Sequence, residues 1–559
     1  MQKNVVLFLS AAALIALSSC SSKLGALSAD NFSVIPNPLE TEAGKVPATI
    51  NGKFPEKYMK KKAVVTVTPE LRYGDGQTAT GQGATFQGEK VAGNDQTIQY
   101  KVGGNYTMNT SFNYVPDMQK SDLYLTFDAY VGKKKVDVPA VKVATGVIST
   151  SELYKKTLAG DGACIAPDSF QRVKAQKQEA EIKFLINQAN LRKSEMKNNS
   201  IKEFVSMLKK INSDKEGLNI KNVEVSAYAS PDGGVAFNDK LASKRQGASE
   251  KYVKNTLKST KVDTDVAASY TAQDWDGFQK LVAASNLQDK DVILRVLSMY
   301  QDPQEREQQI KNMSAGFREL ADGILPELRR SRLIINYETI GRSDDQIKEQ
   351  YAADPSKLSA DELLYAASLE DNADAKEAIY KKTAEIYPDD NRAFNNVAAM
   401  EFAKGNNEAA KEYLAKALNT NATAAEANAN KGLVALLEGN TSEAQNLIAK
   451  ATGANDLNKA VGALNIANGK YAQAEENFSG VNSNTAALAQ ILNKNYAGAL
   501  TTLNGVKNKT GITDYLLAIV NARQGNSSAA SSYLKSALQK DPSLASYAAN
   551  DLEFANIEK

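Results

Sequence analysis

Two stretches of sequence that lie 34 residues apart decide how the C-terminal part of this chain folds. Residues 394–418 read FNNVAAMEFAKGNNEAAKEYLAKAL, and residues 428–452 read NANKGLVALLEGNTSEAQNLIAKAT. Each stretch holds two runs with helical spacing of apolar residues, separated by a Gly-Asn turn. Small residues recur where two paired helices would cross, and these are Ala398, Ala410 and Ala417, then Gly432, Ala444 and Ala451. The 34-residue spacing of this pair and its recurring small residues predict an array of helix pairs.

Further copies of the pattern turn at Gly469, Lys494 and Gly525, and an earlier copy covers residues 358–388. The period resembles that of tetratricopeptide repeats, so we predict an α-helical solenoid over residues 344–559. The resemblance implies a concave groove that binds a protein partner. We expect this segment to fold separately from the residues upstream. The alternative is an Ala-rich helical bundle without true repeats.

The first twenty residues, MQKNVVLFLSAAALIALSSC, have the pattern of a secretion signal. Lys3 supplies a positive charge, and the apolar run over residues 5–17 is too short for a permanent membrane span. The end of the run resembles a bacterial lipobox, which implies removal of residues 1–19 and acylation of Cys20. The alternative is an ordinary signal peptide with a chance cysteine. Several acyl chains give stable anchoring.

The residues after Cys20 bear on where the anchored protein faces. In lipoproteins of Bacteroidota, acidic residues directly after the cysteine resemble a surface-export tag. The sequence SSKLG at residues 21–25 has none. We therefore expect a lipid-anchored protein of the cell outer membrane that faces the periplasm.

Composition narrows the possible functions. The 559 residues include no histidine, which excludes Ser-His-Asp and Cys-His nucleophile systems and histidine metal sites. A net charge of +2 argues against a dedicated nucleic-acid binder. We predict no catalytic residue, no metal and no cofactor. Cys164 lies in the turn-rich sequence GDGACIAPDS, where we expect an inert buried or loop thiol.

Residues 20–165 are predicted to form a β-sandwich. Apolar and polar residues alternate in DLYLTFDAYV from Asp122, and similar runs start at Ala63 and Gln96. Short strands separated by Gly- and Asn-rich turns favour two packed sheets. The polar residues 166–178 are interpreted as a linker.

Residues 179–340 are predicted to form an α/β sandwich. Ile182, Phe184 and Ile186 alternate as in a strand, and a helical pattern from Ile201 follows. A second strand, VEVSAYAS, precedes a second helix, and SRLIINYET from Ser331 completes the sheet. Between them, residues 259–326 are interpreted as a helical insertion.

Residues 225–253, VSAYASPDGGVAFNDKLASKRQGASEKYV, carry the most specific resemblance of this region. Their spacing of Gly233, Asn238, Leu241 and Arg245 is similar to that of OmpA-like peptidoglycan-binding domains. The resemblance implies that Arg245 binds a carboxylate of diaminopimelate through hydrogen bonds. The whole chain resembles OmpA-like, tetratricopeptide-repeat outer-membrane lipoproteins of Bacteroidota.

The aspartate that binds the ligand's ammonium group in that family is replaced here by Ser230. Asp232, two residues later, is the remaining acidic candidate. We therefore name Arg245, Asn238 and Asp232 as candidate peptidoglycan-binding residues. The alternative is that Asn238 caps the turn and Arg245 only maintains the fold.

The combined prediction is a non-enzymatic envelope scaffold. Cys20 anchors it in the outer membrane, the OmpA-like domain contacts peptidoglycan, and the repeats bind a protein. The alternative is an accessory subunit of a secretion or motility machine that has no contact with the wall. An enzyme that acts on glycan or peptide is a third class, for which the sequence offers no motif.

Replacing Cys20 by alanine is expected to move the protein from the membrane fraction to the soluble fraction, because the acyl chains attach to that thiol. Fractionated cells and immunoblotting measure the shift. Cys164→Ala is the matched control and should leave the protein membrane-bound. Retention of the Cys20→Ala protein in membranes at an unchanged level would contradict the lipid anchor.

Overall fold

The computed structural model describes residues 23–158, 163–287, 289–312 and 319–557. Cys20 and the predicted signal peptide lie outside the described residues. Contacts divide the chain into two units, the first formed by Met1–Asp168 with Ala367–Lys559 and the second by Ser169–Ala366. In the described ranges, no helix has the length and apolar character needed to cross a membrane.

Strands dominate the first part of the first unit. Buried residues alternate with less buried ones along most of the four longest strands, because successive side chains point to opposite sheet faces. The strands are β1 Phe32–Ile35, β2 Leu39–Glu40, β3 Lys45–Phe54, β4 Ala63–Tyr73, β5 Gln77–Thr80, β6 Ala84–Gly88, β7 Gln96–Ile98, β8 Gly104–Asn113, β9 Ser121–Val131, β10 Lys134–Val136, β11 Val141–Thr145 and β12 Val147–Ile148. A short helix, α1 Tyr154–Thr157, follows.

Two sheets contribute to one apolar core in this region. One has the order β1-β3-β8, and the other has the order β10-β9-β4-β6-β7, with β11 on β9 and β5 on β4. Val46 and Ile50 from β3 lie in the same core as Val65 and Val67 from β4. The expected strand-rich region is therefore present, and the sandwich assignment remains a prediction.

The second unit contains a four-stranded mixed sheet with two helices packed against it. The sheet order is β13-β16-β14-β15, in which only β14 and β15 are parallel. Its core joins Ile182, Phe204, Val225, Val253 and Leu333. The elements are β13 Val173–Lys183, α2 Asn199–Ser213, β14 Leu218–Tyr228, α3 Val235–Thr260, β15 Val266–Thr271 and β16 Arg330–Ile340.

A helical layer with its own core is inserted between β15 and β16. Phe278, Val282, Ile293 and Leu297 are buried there, and Trp275 packs against them. The helices are α4 Trp275–Ala284, α5 Lys290–Met299, α6 Pro303–Asn312 and α7 Leu325–Leu328, with a π-helical turn at Leu320–Ile324. After β16 come α8 Asp344–Ala353 and α9 Ala360–Ser368.

Two sequence expectations about this unit are wrong. The predicted linker 166–178 includes the first half of β13, which pairs with β16 from Val173 to Lys183. That half is exposed on both faces and so lacks alternation. The predicted insertion 259–326 includes β15, whose small side chains carry little apolar signal. The inserted helices start only at Trp275.

Helix pairs form the rest of the first unit, as the 34-residue period predicts. Gly405, Gly439, Gly469 and Gly525 adopt positive φ angles of 72–80° between paired helices, and Lys494 takes the same place at 65°. The helices are α10 Ala373–Ile386, α11 Asn391–Ala403, α12 Asn407–Thr420, α13 Ala425–Leu437, α14 Thr441–Ala449, α15 Leu457–Ala467, α16 Tyr471–Asn477, α17 Asn484–Leu492, α18 Tyr496–Gly505, α19 Gly511–Arg523, α20 Ser527–Lys540 and α21 Ala545–Asn550.

The predicted small residues lie where paired helices approach most closely. A Cβ atom on Gly432 of α13 would lie 2.7 Å from Cγ1 of Ile448 and 3.3 Å from the carbonyl oxygen of Ala444, both near α14. A Cβ on Gly462 of α15 would lie 2.5 Å from Cε2 of Phe478. These distances leave no room for a methyl group, which explains glycine at both positions.

Two glycine substitutions are expected to change stability in opposite directions. Gly432→Ala should lower the free energy of unfolding by about 1–3 kcal/mol because the new methyl group overpacks the helix crossing. Gly247→Ala should raise it by about 0.5–1 kcal/mol, because this glycine lies inside α3 with no atom within 4 Å of its Cβ position. Denaturation followed by circular dichroism measures both. Equal effects would contradict the described helix crossing.

Candidate functional site

The inner surface of the helical repeats is occupied by the chain itself. We use the name groove segment for residues 149–158 and 163–168, which follow strand β12. The segment contacts the first helices of successive pairs, namely α11, α13, α15 and α17. Leu153, Tyr154, Leu158, Cys164 and Ala166 of the segment are all buried.

Three asparagine side chains hold the backbone of one end of the groove segment. The N–H of Cys164 donates to Oδ1 of Asn430 at 2.7 Å, and Nδ2 of Asn430 donates back to the carbonyl of Cys164 at 2.8 Å. Asn396 makes the same two bonds to Ala166, at 2.7 and 3.1 Å. Asn395 donates to the Cys164 carbonyl at 3.0 Å. We call these three residues the asparagine ladder.

The ladder follows from the repeat period. Asn396 on α11 and Asn430 on α13 lie 34 residues apart and so occupy equivalent positions in neighbouring repeats. In an extended chain, alternate residues present their N–H and C=O groups to the same side. One repeat step therefore matches two residues of the segment, from Cys164 to Ala166. An amide side chain is suited to this task because it both donates and accepts.

The start of the groove segment is fixed at the opposite end of the array. The hydroxyl of Tyr547 on α21 donates to the carbonyl of Ser149 at 2.9 Å. The Thr150 hydroxyl donates to Glu553, which also forms an ion pair with Arg523 of α19. Polar contacts to the array therefore hold the segment at both its ends.

The groove segment also places Cys164 in a fully buried position. Burial raises the pKa of its thiol to about 12, with further raising contributions from the charges of Asp456 and Glu426. At neutral pH the thiol is therefore protonated and a poor nucleophile. This agrees with the expectation of an inert cysteine.

The groove segment bears on two sequence expectations, namely that the groove binds a partner and that residues 344–559 fold separately. The concave surface that we expected to receive a partner is covered by residues of the same chain. The helices of residues 344–559 also do not form one separate body, because the unit that contains α10–α21 includes the strands and the groove segment. Removing the segment would expose Ala-rich apolar surface and the amides of the ladder.

Arg245, the predicted carboxylate-binding residue, is only 1% exposed and bonds to the protein's own backbone. Its Nε, Nη1 and Nη2 atoms donate to the carbonyls of Gln188, Tyr228 and Leu185 at 3.0, 2.9 and 3.2 Å. Its guanidinium lies 5.0 Å from the centre of the Phe184 ring. Burial lowers the pKa of Arg245 to about 10, and the charge of Arg329 acts in the same direction.

The other two candidates lie at the junction of β14 and α3, with Asp232 in the turn and Asn238 in the first turn of α3. Nδ2 of Asn238 donates to the carbonyls of Ser230 and Gly233, each at 2.9 Å, and so closes the turn. Asp232 accepts from the Ser230 hydroxyl and pairs with Arg329 at 3.1 Å. The structure thus places the predicted residues around one turn, where each already has a partner within the protein.

The part of the chain that the structure describes also bears on whether the protein holds a metal ion. No group of three or more acidic or cysteine side chains there is arranged to hold an ion. The ion-paired carboxylates of the repeats, such as Glu377 and Glu401, are matched by lysines instead.

Comparison with known proteins gives only distant likenesses. No family model matches the chain, and no curated protein matches it. A tetratricopeptide repeat protein from Parabacteroides merdae is similar at 14% identity over 44% of this chain and 97% of that chain, with a TM-score of 0.27. PilF from Pseudomonas aeruginosa is 17% identical over 38% of this chain and 99% of that chain, with a TM-score of 0.26. Yeast Tom70 is 11% identical over 65% of this chain and 91% of that chain, with a TM-score of 0.24.

These scores are too low to carry an argument about fold or function. The repeat architecture of this chain therefore rests on its own helix pairs and on the 34-residue spacing of two of them.

The asparagine ladder was not identified from the sequence, although both quoted repeats contain it. The letters FNN at residues 394–396 and NAN at residues 428–430 place polar residues inside runs that are otherwise Ala-rich. Buried polar side chains need partners, so their recurrence at the repeat period was the available signal.

Replacing Asn430 by alanine is expected to loosen the groove segment. The variant leaves the buried N–H of Cys164 without an acceptor, which costs roughly 1–3 kcal/mol of stability. Alkylation of Cys164 by iodoacetamide should accelerate by the factor that corresponds to this free energy, roughly 5- to 150-fold. Asn446→Ala, which removes an exposed amide on the outer face of α14, is the control and should change neither quantity. Equal alkylation rates in both variants would contradict the ladder.

Proposed function

We propose that this chain is a non-catalytic scaffold of the bacterial envelope, anchored by a lipid on Cys20 in the outer membrane and facing the periplasm. Its repeats act as a protein-binding array that recognises an extended segment through backbone contacts. The segment that they hold is the chain's own groove segment. The array therefore links the strand-rich region and the helices into one rigid support.

The observation that carries this proposal is the asparagine ladder. Backbone hydrogen bonds at 2.7–3.1 Å, matched to the repeat period, are the chemistry of peptide recognition. A partner that used the same surface would have to displace a covalently attached competitor, whose effective concentration is high. Partner binding by other surfaces of the scaffold is therefore favoured.

Anchoring in the outer membrane rests on the sequence around Cys20. The short apolar run, the small residues before the cysteine and the lack of acid after it support this placement. The central α/β region is proposed to be OmpA-like, since its glycine, asparagine, leucine and arginine spacing is similar to that family.

A second candidate function is an accessory subunit of an envelope machine with no contact with the wall. The geometry of Arg245 favours it over a peptidoglycan-binding scaffold. A ligand carboxylate would have to replace three backbone carbonyls that Arg245 already satisfies. The carbonyls released would then be left without donors, which costs free energy comparable to the bond gained.

The purified full-length chain is expected not to sediment with isolated peptidoglycan. Ser230→Asp should not restore binding, because the new carboxylate would lie beside Arg329, whose Nε already donates to the Ser230 hydroxyl at 3.3 Å. Cosedimentation quantified on gels measures both proteins. Wild-type protein that sediments with the wall and is released by free diaminopimelate-containing muropeptide would contradict the second candidate and support the peptidoglycan-binding scaffold expected from the sequence.

A further inference from the structure

The two edges of the β13-β16-β14-β15 sheet differ in charge. Edge strand β13 carries the charged side chains Lys174, Lys177, Glu179, Glu181 and Lys183. Edge strand β15 reads VAASYT and carries none. Charges on an edge strand discourage pairing with other chains, and β15 has no such protection.

The backbone groups of β15 that face away from the sheet can be identified from its bonds to β14. The N–H of Val223 donates to the carbonyl of Asp265, and the N–H of Ala229 donates to that of Thr271. In a parallel ladder, alternate residues face the neighbouring strand. The odd-numbered residues therefore face β14, and the N–H and C=O groups of Val266, Ala268 and Tyr270 point outward.

Several residues of β15 are exposed to solvent on this side of the sheet order. Among the described residues, β15 is the last strand of its sheet and no other strand pairs with its free side. Ala267, Ser269, Tyr270 and Thr271 are exposed, and Tyr270 as a whole residue is 41% exposed despite its apolar area.

We propose that β15 is a docking edge for β15 of a second copy of this chain, which pairs with it in antiparallel orientation about a two-fold axis. The register that brings all three outward residues into hydrogen-bonded pairs places Ala268 opposite Ala268 of the other copy. Val266 then lies opposite Tyr270 at both ends. Each pair exchanges two backbone bonds, and the two sheets become one continuous sheet.

Self-complementarity in this register singles out a second copy as the occupant. An aromatic side chain opposite a β-branched one is a favourable cross-strand pair, and it occurs twice. Asp265 lies opposite Thr271, so no like charges oppose one another at the strand ends. A two-fold interface uses the same patch on both partners, which is the commonest form of association.

Sedimentation velocity of the full-length chain between 1 and 100 µM tests the pairing. We expect a concentration-dependent dimer. Ala268→Pro should weaken it at least tenfold, because proline removes the N–H at the axis without removing a bond to β14. Tyr270→Lys is a second variant, which removes the aromatic pairs from an exposed position. A monomer at every concentration, or dimers that neither variant weakens, would overturn the proposal.

Cysteine crosslinking tests the register. Residues 267 and 269 of opposite copies lie directly across from one another on the open face, whereas two copies of either position alone lie on a diagonal. Mixing Ala267→Cys and Ser269→Cys proteins under oxidising conditions should give a crosslinked heterodimer well above the level of either protein alone. Crosslinking of one variant alone to the same extent would overturn the register.

Discussion

The architecture of the first unit depends on one constraint, which is that a backbone buried in a groove must have its polar groups satisfied. The backbone of the groove segment is satisfied by the side-chain amides of Asn395, Asn396 and Asn430. These amides form the hydrogen bonds that a neighbouring strand would otherwise supply. Because the ladder binds backbone, it fixes the path of the segment and places few demands on its side chains. The helices and the preceding strands are thereby joined into one cooperative body, and the groove is not a vacant surface.

The second unit uses the same device at a different place. Arg245 donates to carbonyls at the end of β14 and in the loop after β13, so one buried guanidinium ties together two chain segments at the carboxyl ends of these strands. A residue that resembles a ligand-binding arginine is in this way committed to the fold. The spacing that carries the resemblance lies at a turn rich in polar contacts, and these contacts are internal to the protein.

Periodicity made much of the fold predictable from the sequence. The 34-residue spacing gave the helix pairs, and the glycines at close approaches follow from packing. The local sequence pattern did not predict two strands. The first half of β13 is polar and exposed on both faces, and β15 has small side chains, so neither shows the alternation of apolar and polar residues that marks a strand. The ladder requires knowledge that residues 164–166 lie in the groove, which no local pattern contains, since the partners are more than 200 residues apart.

The central claim is that the chain's own segment fills the inner surface of the repeats. Hydrogen–deuterium exchange of the full-length chain tests it most directly, at the amides of Cys164 and Ala166. Both N–H groups donate to buried side chains, so the account predicts protection comparable to that of the amides in the middle of α13. Exchange of these two amides at the rate of an unstructured peptide, while α13 stays protected, would show that the groove is open in solution and would contradict the account.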